Sequence, residues 1–183
     1  MSYQTITLEK EDGLATITLN RPHRLNAFDE QMTQEFPDAL KNVAADNGVR
    51  AVVITGAGGA FCAGADMKDR FLPMIEEIKH GELVTALTRD WTEKTCLLLS
   101  GIEKPVLAAI NGPAVGLGCT ITLACDIRIA SEEASLILGS TRMGLTSEFG
   151  STYFLPRLVG IARACELIFT ARPVGGREEP IDS

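Results

Sequence analysis

The chain has 183 residues, a length that fits one domain, and carries a formal net charge of −7. Hydrophobic residues make up 45% and charged residues 22% of the sequence, which is typical of a globular protein and excludes a highly charged disordered chain. The negative net charge disfavours a nucleic-acid partner. The charge is also explained by a surface that keeps the protein soluble. No apolar run of the sequence is long enough to span a bilayer.

Cysteine and histidine usage argues against disulfides and against a metal site. The five cysteines are odd in number and form no CxxC pair, so we expect buried, reduced thiols. The two histidines, His23 and His80, do not have the spacing of metal ligands, and with only two histidines a Ser-His-Asp triad is disfavoured. The first ten residues contain no basic segment followed by an apolar one, so the expected location is the cytoplasm.

The amino-terminal part of the sequence predicts a hairpin and a helix. Apolar and polar residues alternate over residues 6–8 and 14–19, which predicts two antiparallel strands. Asp29 is the predicted N-cap of a helix that reaches about Ala45 and contains Pro37.

The rest of the chain alternates strands and helices, which predicts an α/β fold with repeated turns. Short apolar runs typical of buried strands occur at 51–55, 106–110 and 127–130. Helices are predicted at 71–100 with a break near His80, at 116–123, directly after Gly150, and at 162–170. We expect residues 1–171 to form one folded core and the polar tail, 172–183, to be disordered.

Two segments share one pattern: a buried strand, a glycine-containing turn and the start of a helix. The first runs from Val52 to Asp66 and the second from Val106 to Gly118. Small residues let a ligand approach the backbone, and a helix N-terminus leaves N–H groups unpaired. Two such N–H groups aimed at one point would form an oxyanion hole. The pattern alone also fits two ordinary strand-to-helix turns.

The residues of these turns resemble motifs of the crotonase (enoyl-CoA hydratase/isomerase) family. Residues 61–68, Phe-Cys-Ala-Gly-Ala-Asp-Met-Lys, resemble its first oxyanion motif, and residues 104–118 resemble its second. Asn20-Arg21-Pro22, followed by Leu25-Asn26-Ala27, resembles its CoA-binding turn. The resemblance extends from about Ile6 to Thr170. It implies a spiral of repeated ββα turns, assembled as trimers or as dimers of trimers.

The resemblance implies a set of site residues. The backbone N–H groups of Ala65 and Leu117 take the places of the family's oxyanion donors. Contacts with coenzyme A carry over to Arg24, Leu25, Ala27, Ala63, Ala65, Asp66, Met67, Lys68 and Gly116. Arg24 and Lys68 are candidates for binding phosphate, with solvated surface charge as the alternative. No metal and no separate cofactor are implied, because coenzyme A is part of the acyl-CoA thioester substrate.

The carboxylates decide which reaction the resemblance implies. A typical hydratase of the family carries two glutamates, and the matching positions here hold Thr120 and Ser140, which disfavours hydration. Glu148 occupies the position that matches the single catalytic acid of some enoyl-CoA isomerases of the family. One carboxylate suffices to move a proton from the α-carbon to the γ-carbon of a dienolate. We expect burial between Leu145 and Phe149 to raise the pKa of Glu148.

Other interpretations remain open. Glu148 also fits an acidic residue in the first turn of a helix that Thr146 or Ser147 caps. Hydration, dienoyl isomerisation and thioester hydrolysis are further reactions of the family. A catalytically degenerate acyl-CoA-binding or assembly protein is the non-enzymatic alternative. The family's C-terminal helices, which cover the acyl pocket and build the trimer, are not found after Arg172, so we expect an exposed apolar flank.

Overall fold

A computed structural model describes residues 3–73 and 85–176 of the chain, and it begins with the predicted hairpin. Strands β1 (Ile6–Glu11) and β2 (Leu14–Leu19) pair antiparallel along their whole length. Asp12 and Gly13 connect them with φ angles of 49° and 83°, the left-handed pair that a tight hairpin turn requires. The predicted hairpin is therefore confirmed.

Helix α1 (Glu30–Ala45) begins at the predicted cap. The Asp29 carboxylate accepts a hydrogen bond of 2.8 Å from the backbone N–H of Met32, which satisfies one of the free amides of the first turn. The apolar face of the helix is buried in the main core. Pro37 lies inside the helix, as the sequence predicts.

A five-stranded sheet in the order β1-β2-β3-β4-β6 forms the centre of the fold. Strands β3 (Ala51–Gly56), β4 (Val106–Ile110) and β6 (Ile127–Ala130) confirm the three buried strands predicted from apolar runs. From β2 to β6, each neighbouring pair in the sheet is parallel. The turns that follow β3 and β4 therefore leave the same edge of the sheet side by side, where ligands bind in sheets of this kind.

A second, three-stranded sheet was not predicted. It consists of β5 (Pro113–Val115), β7 (Ser135–Ile137) and β8 (Val174–Gly175), in the order β5-β7-β8. Because β8 pairs with β7, the tail predicted to be disordered from residue 172 is ordered as far as Gly176. Residues 177–183 of that tail lie outside the described residues.

Four further α-helices lie within the described residues of the α/β fold. They are α2 (Thr85–Ser100), α3 (Leu117–Leu123), α4 (Ser151–Val159) and α5 (Ile161–Thr170). Helix α2 confirms the second part of the long predicted helix, and the break predicted near His80 falls outside the described residues. Within the described ranges, the helices are too short or too polar to cross a membrane.

Glu35 fastens the start of β1 to helix α1. Its buried carboxylate accepts hydrogen bonds from the backbone N–H groups of Gln4 and Thr5, both at 2.8 Å, and from the Thr5 hydroxyl and the Gln31 amide. Burial raises the pKa of Glu35, but these four hydrogen bonds outweigh burial and hold the pKa below its ordinary 4.5. The ionised form therefore stabilises the folded state.

The lowered pKa of Glu35 predicts how stability depends on pH. Stability from such a group is present above the unfolded pKa and is lost as pH falls through the folded pKa, so we expect stability to decline as pH falls below the ordinary pKa of 4.5. Glu35→Gln should lower the free energy of unfolding at pH 7 by roughly 1–3 kcal/mol and flatten this decline. Urea titrations across pH measure both effects. An unchanged decline in the variant, compared with exposed-site Glu133→Gln, would contradict the assignment.

Candidate active site

The first oxyanion turn is held in place by backbone pairing on both sides of Ala65. Phe28 and Ala65 form a short parallel bridge outside the main strands. The Phe28 N–H donates to the Gly64 carbonyl at 2.8 Å, and the Asp66 N–H donates to the Phe28 carbonyl at 2.9 Å. Within the described residues, the Ala65 N–H itself has no hydrogen-bond acceptor. The pairing thus fixes the backbone around an amide that has no acceptor among the described residues.

The second oxyanion turn ends at the first residue of helix α3. Gly116 is the N-cap, with φ of 52°, and its N–H donates to the Ile137 carbonyl at 2.9 Å. Leu117 follows as the first helical residue, a position whose N–H has no partner inside a helix. Across residues 3–73 and 85–176, no acceptor takes this N–H either. The second predicted donor is therefore also held by bonds to its neighbour and left unpaired.

Glycines let the two turns approach each other closely. A Cβ atom on Gly118 would lie 2.3 Å from the Cys62 carbonyl oxygen, so no other residue fits there. A Cβ atom on Gly64 would lie 2.9 Å from the Val115 carbonyl oxygen and 3.7 Å from the Leu117 nitrogen. The glycine just before the first predicted donor therefore lies directly beside the second donor.

A cavity of about 370 Å³ opens beside these turns. Ala65, Leu117 and Glu148, the three residues predicted to be catalytic, all line it. Its other lining residues are Ala63, Gly64, Met67, Trp91, Thr92, Val115, Gly116, Ile137, Gly139, Ser140, Arg142, Met143 and Leu145. The walls are mostly apolar, as in a typical site for a small organic ligand. The structure thus brings both predicted donor residues and the acid to the lining of one cavity.

The comparisons with known proteins agree with this architecture. Residues 9–179 match the family model described as enoyl-CoA hydratase/isomerase.

The chain belongs to the enoyl-CoA hydratase/isomerase family.

Individual relatives show how far the similarity extends. A probable enoyl-CoA hydratase of Mycobacterium leprae is 42% identical, over 90% of this chain and 56% of that protein. A 4-chlorobenzoyl coenzyme A dehalogenase of an Arthrobacter species is 38% identical, over 94% of this chain and 62% of that protein. An enoyl-CoA hydratase structure from Bacillus anthracis superimposes with a TM-score of 0.85 at 36% identity, over 95% of this chain and 66% of that one. The chain therefore spans less than two thirds of these relatives' lengths, and its predicted crotonase-like fold is confirmed.

The CoA-binding residues that the family resemblance implies divide into two groups. Ala63, Ala65, Met67 and Gly116 line the cavity. Arg24, Leu25, Ala27, Asp66 and Lys68 lie outside its lining. Among these, Arg24, Leu25 and Lys68 are exposed, and the Ala63 N–H donates to the Leu25 carbonyl at 2.9 Å, which places the CoA-binding turn beside the first oxyanion turn. Ala27 is buried.

The carboxylate of Asp66, a residue predicted to contact CoA, is bonded within the protein. One oxygen accepts the Arg21 guanidinium at 3.1 Å, and the other accepts the backbone N–H groups of Lys68 and Asp69 at 3.1 and 3.3 Å. Burial raises the pKa of Asp66, but these bonds outweigh burial and hold the pKa below its ordinary 3.8. The side chain organises the turn, and both of its oxygens accept hydrogen bonds from within the protein.

Glu148 lies just before helix α4 and not inside it. The helix begins at Ser151 with Gly150 as its N-cap, so the alternative of an acid in the first helical turn is wrong. Neither Thr146 nor Ser147 caps that helix. Glu148 sits instead on the loop that leads from the cavity wall into the helix.

The predicted burial of Glu148 is also wrong. Phe149 has a left-handed backbone, with φ of 53°, and its ring is buried with 2% exposure. The left-handed residue turns the ring into the core while Glu148 stays exposed at the cavity. Leu145, its other predicted wall, is 40% exposed. Backbone strain of this kind often occurs at functional loops.

Trp91 is a cavity residue that the sequence reasoning missed. Its ring lies 5.8 Å from the Phe28 ring and 6.4 Å from the Phe149 ring, so it joins the first oxyanion turn to the Glu148 loop. Its indole N–H donates to the Thr33 carbonyl, which holds the ring in place. The available signal was that Trp91 is the only tryptophan in the sequence.

The two positions that hold acids in a typical hydratase differ in their placement relative to the cavity. Thr120 is fully buried in α3 and does not line the cavity, and its hydroxyl donates to the Leu117 carbonyl at 3.1 Å. Ser140 does line the cavity, on the 3-10 turn Gly139–Met143. On the same turn, Arg142 was not predicted, and it is the one cationic residue in the described part of the lining, to which Glu148 also belongs. Among the described residues no group of acids, cysteines and histidines fits a metal.

Gly64 offers a direct test of the first turn. Its φ of 99° is left-handed, and Gly64→Ala would press a Cβ atom against the Val115 carbonyl. We expect a loss of roughly 1–3 kcal/mol in the free energy of unfolding. Gly59→Ala is the matched control, because a Cβ atom there meets nothing within 4 Å. Urea denaturation of both variants measures the difference, and equal stability of the two would contradict the packing described here.

Proposed function

We propose that this chain forms the catalytic core of an enoyl-CoA isomerase, which moves a β,γ double bond of an acyl-CoA thioester to the α,β position. The observation that supports the proposal is one cavity whose described lining contains Ala65, Leu117 and a single acid, Glu148. Both amides lack acceptors within the described part of the chain, so they can donate to a ligand. The geometry fits a reaction that creates negative charge on a carbonyl oxygen.

The proposed reaction has two proton transfers. The Glu148 carboxylate removes a proton from the α-carbon, and the electron pair delocalises through the thioester and the double bond as a dienolate. The N–H groups of Ala65 and Leu117 donate to the thioester oxygen, where charge develops. The Glu148 carboxylic acid then returns the proton to the γ-carbon. The double bond has moved, the carboxylate is restored, and nothing else is consumed.

The same arrangement disfavours hydration. Addition of water needs a group that activates the water and a group that protonates the α-carbon, and the family's hydratases use two acids. Thr120 is buried with its hydroxyl bonded to a carbonyl, and the Ser140 hydroxyl is not a base at neutral pH. Among the residues that the structure describes in the cavity lining, Glu148 is the only acid.

The coenzyme A portion is proposed to lie along the first oxyanion turn. Ala63 and Met67 line the cavity there, and the exposed cations Arg24 and Lys68 flank the same turn. Phosphates would meet these cations while the acyl chain enters the apolar cavity. A homo-oligomer of two or more copies is part of the proposal, because Ile129, Ile161 and Phe169 are at least 60% exposed.

A second candidate reaction is hydrolytic dehalogenation of an aryl thioester. It is favoured by the relative named 4-chlorobenzoyl coenzyme A dehalogenase and by the aromatic wall that Trp91 contributes. The Glu148 carboxylate would add to the ring carbon that bears chlorine and expel chloride. Water would then cleave the resulting ester, which releases the hydroxyaryl thioester and restores the carboxylate.

A substrate panel separates these functions. We expect 3-hexenoyl-CoA to gain the absorbance of a conjugated enoyl thioester when the protein is added. Crotonyl-CoA should keep that absorbance, because hydration would remove it, and 4-chlorobenzoyl-CoA should release no chloride. Chloride release would favour the second candidate. Tight binding of all thioesters without turnover would favour a catalytically degenerate binding protein.

A further inference from the structure

Arg21 places a buried guanidinium underneath the first oxyanion turn. Its side chain is 9% exposed and is surrounded by three carboxylates. The Nε atom lies 3.0 Å from Asp29 and the Nη1 atom 3.1 Å from Asp66, while Nη2 lies 3.9 Å from Asp69. Nη1 also donates to the Ala27 carbonyl. One side chain therefore touches the cap of α1, the CoA-binding turn and the oxyanion turn.

These contacts bracket the backbone pairing that fixes the first oxyanion donor. Ala27 directly precedes Phe28, and Asp66 directly follows Ala65. Phe28 and Ala65 are the two residues of the short parallel bridge. Because Arg21 bonds to the neighbour of each, it clamps the two paired segments together from below.

We propose that Arg21 is a positioning residue, which sets the direction of the Ala65 N–H toward the thioester oxygen. The inference rests on the proposed function, since it assigns a role within that oxyanion hole. Arg21 is not among the described residues that line the cavity, so we expect it to act through the turn. A misplacement of about 1 Å at such a site can cost on the order of 10²-fold in rate.

The chemistry of the clamp requires arginine. The planar guanidinium presents donors in several fixed directions, so it can reach Asp29, Asp66 and the Ala27 carbonyl at once. Lysine offers one compact charge on a flexible stem and can satisfy only part of this set. Removal of Arg21 alone would leave Asp66 and Asp29 as buried like charges. A useful variant must therefore remove one carboxylate together with the cation.

Infrared difference spectroscopy of a bound thioester tests the proposal without requiring turnover. Acetyl-CoA with and without a ¹³C label at the thioester carbonyl is bound to the full chain, and the carbonyl stretch is compared with that of the free thioester. Hydrogen bonds from an oxyanion hole lower this frequency because they polarise the carbonyl. We expect the wild type to show such a lowering.

The double variant Arg21→Met/Asp66→Asn keeps the net charge and removes the clamp. We expect it to lose at least about half of the frequency lowering, since one of two donors is misaligned. With 3-hexenoyl-CoA as substrate, kcat should fall by about 10–100-fold, while KM changes by less than about threefold. Arg21→Lys should give an intermediate frequency. If the double variant does not fold, Arg21→Lys decides by the same measurement.

Lys104→Met is the matched control for lost stability. The Lys104 ammonium donates to the carbonyls of Val43, Ala44 and Asp46 at the far end of α1, so its loss also removes a clamp, which is partly buried. We expect Lys104→Met to be less stable than the wild type but to keep the full frequency lowering. A purely structural role for Arg21 would make the two clamps behave alike.

The outcomes separate this proposal from the proposed isomerase. A frequency lowering in the wild type without turnover of any β,γ-enoyl-CoA would reject the isomerase and leave the clamp supported by its own variants. A folded double variant, or Arg21→Lys, that keeps the full wild-type lowering would overturn the positioning role. No lowering in the wild type would reject the oxyanion hole and the clamp together.

Discussion

Glu148→Gln is expected to lower the turnover of a β,γ-enoyl-CoA by roughly 10²–10⁴-fold, because the amide cannot accept the α-proton. The side chain keeps its size and position at the cavity, so thioester binding should survive. Steady-state assays of conjugated product and calorimetric titration with a saturated acyl-CoA measure the two effects separately. The carboxylate is the reacting form, so wild-type activity should also fall under acidic conditions that protonate Glu148.

Two controls give this result its meaning. Glu133→Gln removes an exposed acid on the loop between β6 and β7 and should leave turnover unchanged within about twofold. Glu148→Asp keeps an acid but shortens its reach, so it should retain part of the activity. If Glu148→Gln turns over substrate at the wild-type rate, another group removes the proton and the isomerase mechanism fails.

Replacement of the Leu117 amide by an ester should lower kcat by roughly 10²–10³-fold, with the same expected for Ala65. Incorporation of the α-hydroxy acid analogue at either position exchanges the backbone N–H for an oxygen and leaves the side chain in place. Both amides lack acceptors within the described ranges, so the exchange removes no other hydrogen bond of theirs. Single-turnover kinetics on each ester variant gives the measurement.

The matched control for this experiment is an ester at Ala162. That residue is exposed in the first turn of α5 and does not line the cavity, so its N–H is another helix-terminal amide with no role at the site. Its ester should leave kcat within about twofold of the wild type. If one oxyanion ester is inactive and the other is normal, a single donor carries the charge and the two-donor geometry is wrong.

Local sequence signals were sufficient for the elements that depend on local chemistry. Asp29 predicts the start of α1, because a carboxylate at that position can accept a hydrogen bond from a free amide of the first turn. Apolar runs identified β3, β4 and β6 because strands covered on both faces need no polar alternation. The two glycine turns were recognised from residue type alone.

Elements that depend on distant partners could not be predicted. Strand β5 has three residues and begins with Pro113, so it is too short to show a strand pattern in the sequence. Its partner, β7, lies about 20 residues away, and neither strand has enough apolar residues to indicate pairing. The order of the tail up to Gly176 has the same cause, since β8 exists only through its bonds to β7.

In the candidate site, too, some features could be predicted from the sequence and others depend on contacts between distant residues. Ala65, Leu117 and Glu148 were selected by family resemblance, and the structure brings them to one cavity. The exposure of Glu148 was missed because it depends on a left-handed Phe149 whose ring packs near Trp91. The contacts of Arg21 were missed because its partner Asp66 lies 45 residues away in sequence.

The central claim is that the amides of Ala65 and Leu117 donate to one thioester oxygen while Glu148 faces the α-carbon. A crystal structure of the protein with bound acetoacetyl-CoA tests it most directly. We expect both backbone nitrogens about 2.7–3.1 Å from the thioester oxygen and a Glu148 oxygen about 3–3.5 Å from the α-carbon. A thioester oxygen bonded to neither amide, or a Glu148 carboxylate directed away from the ligand, would contradict the account.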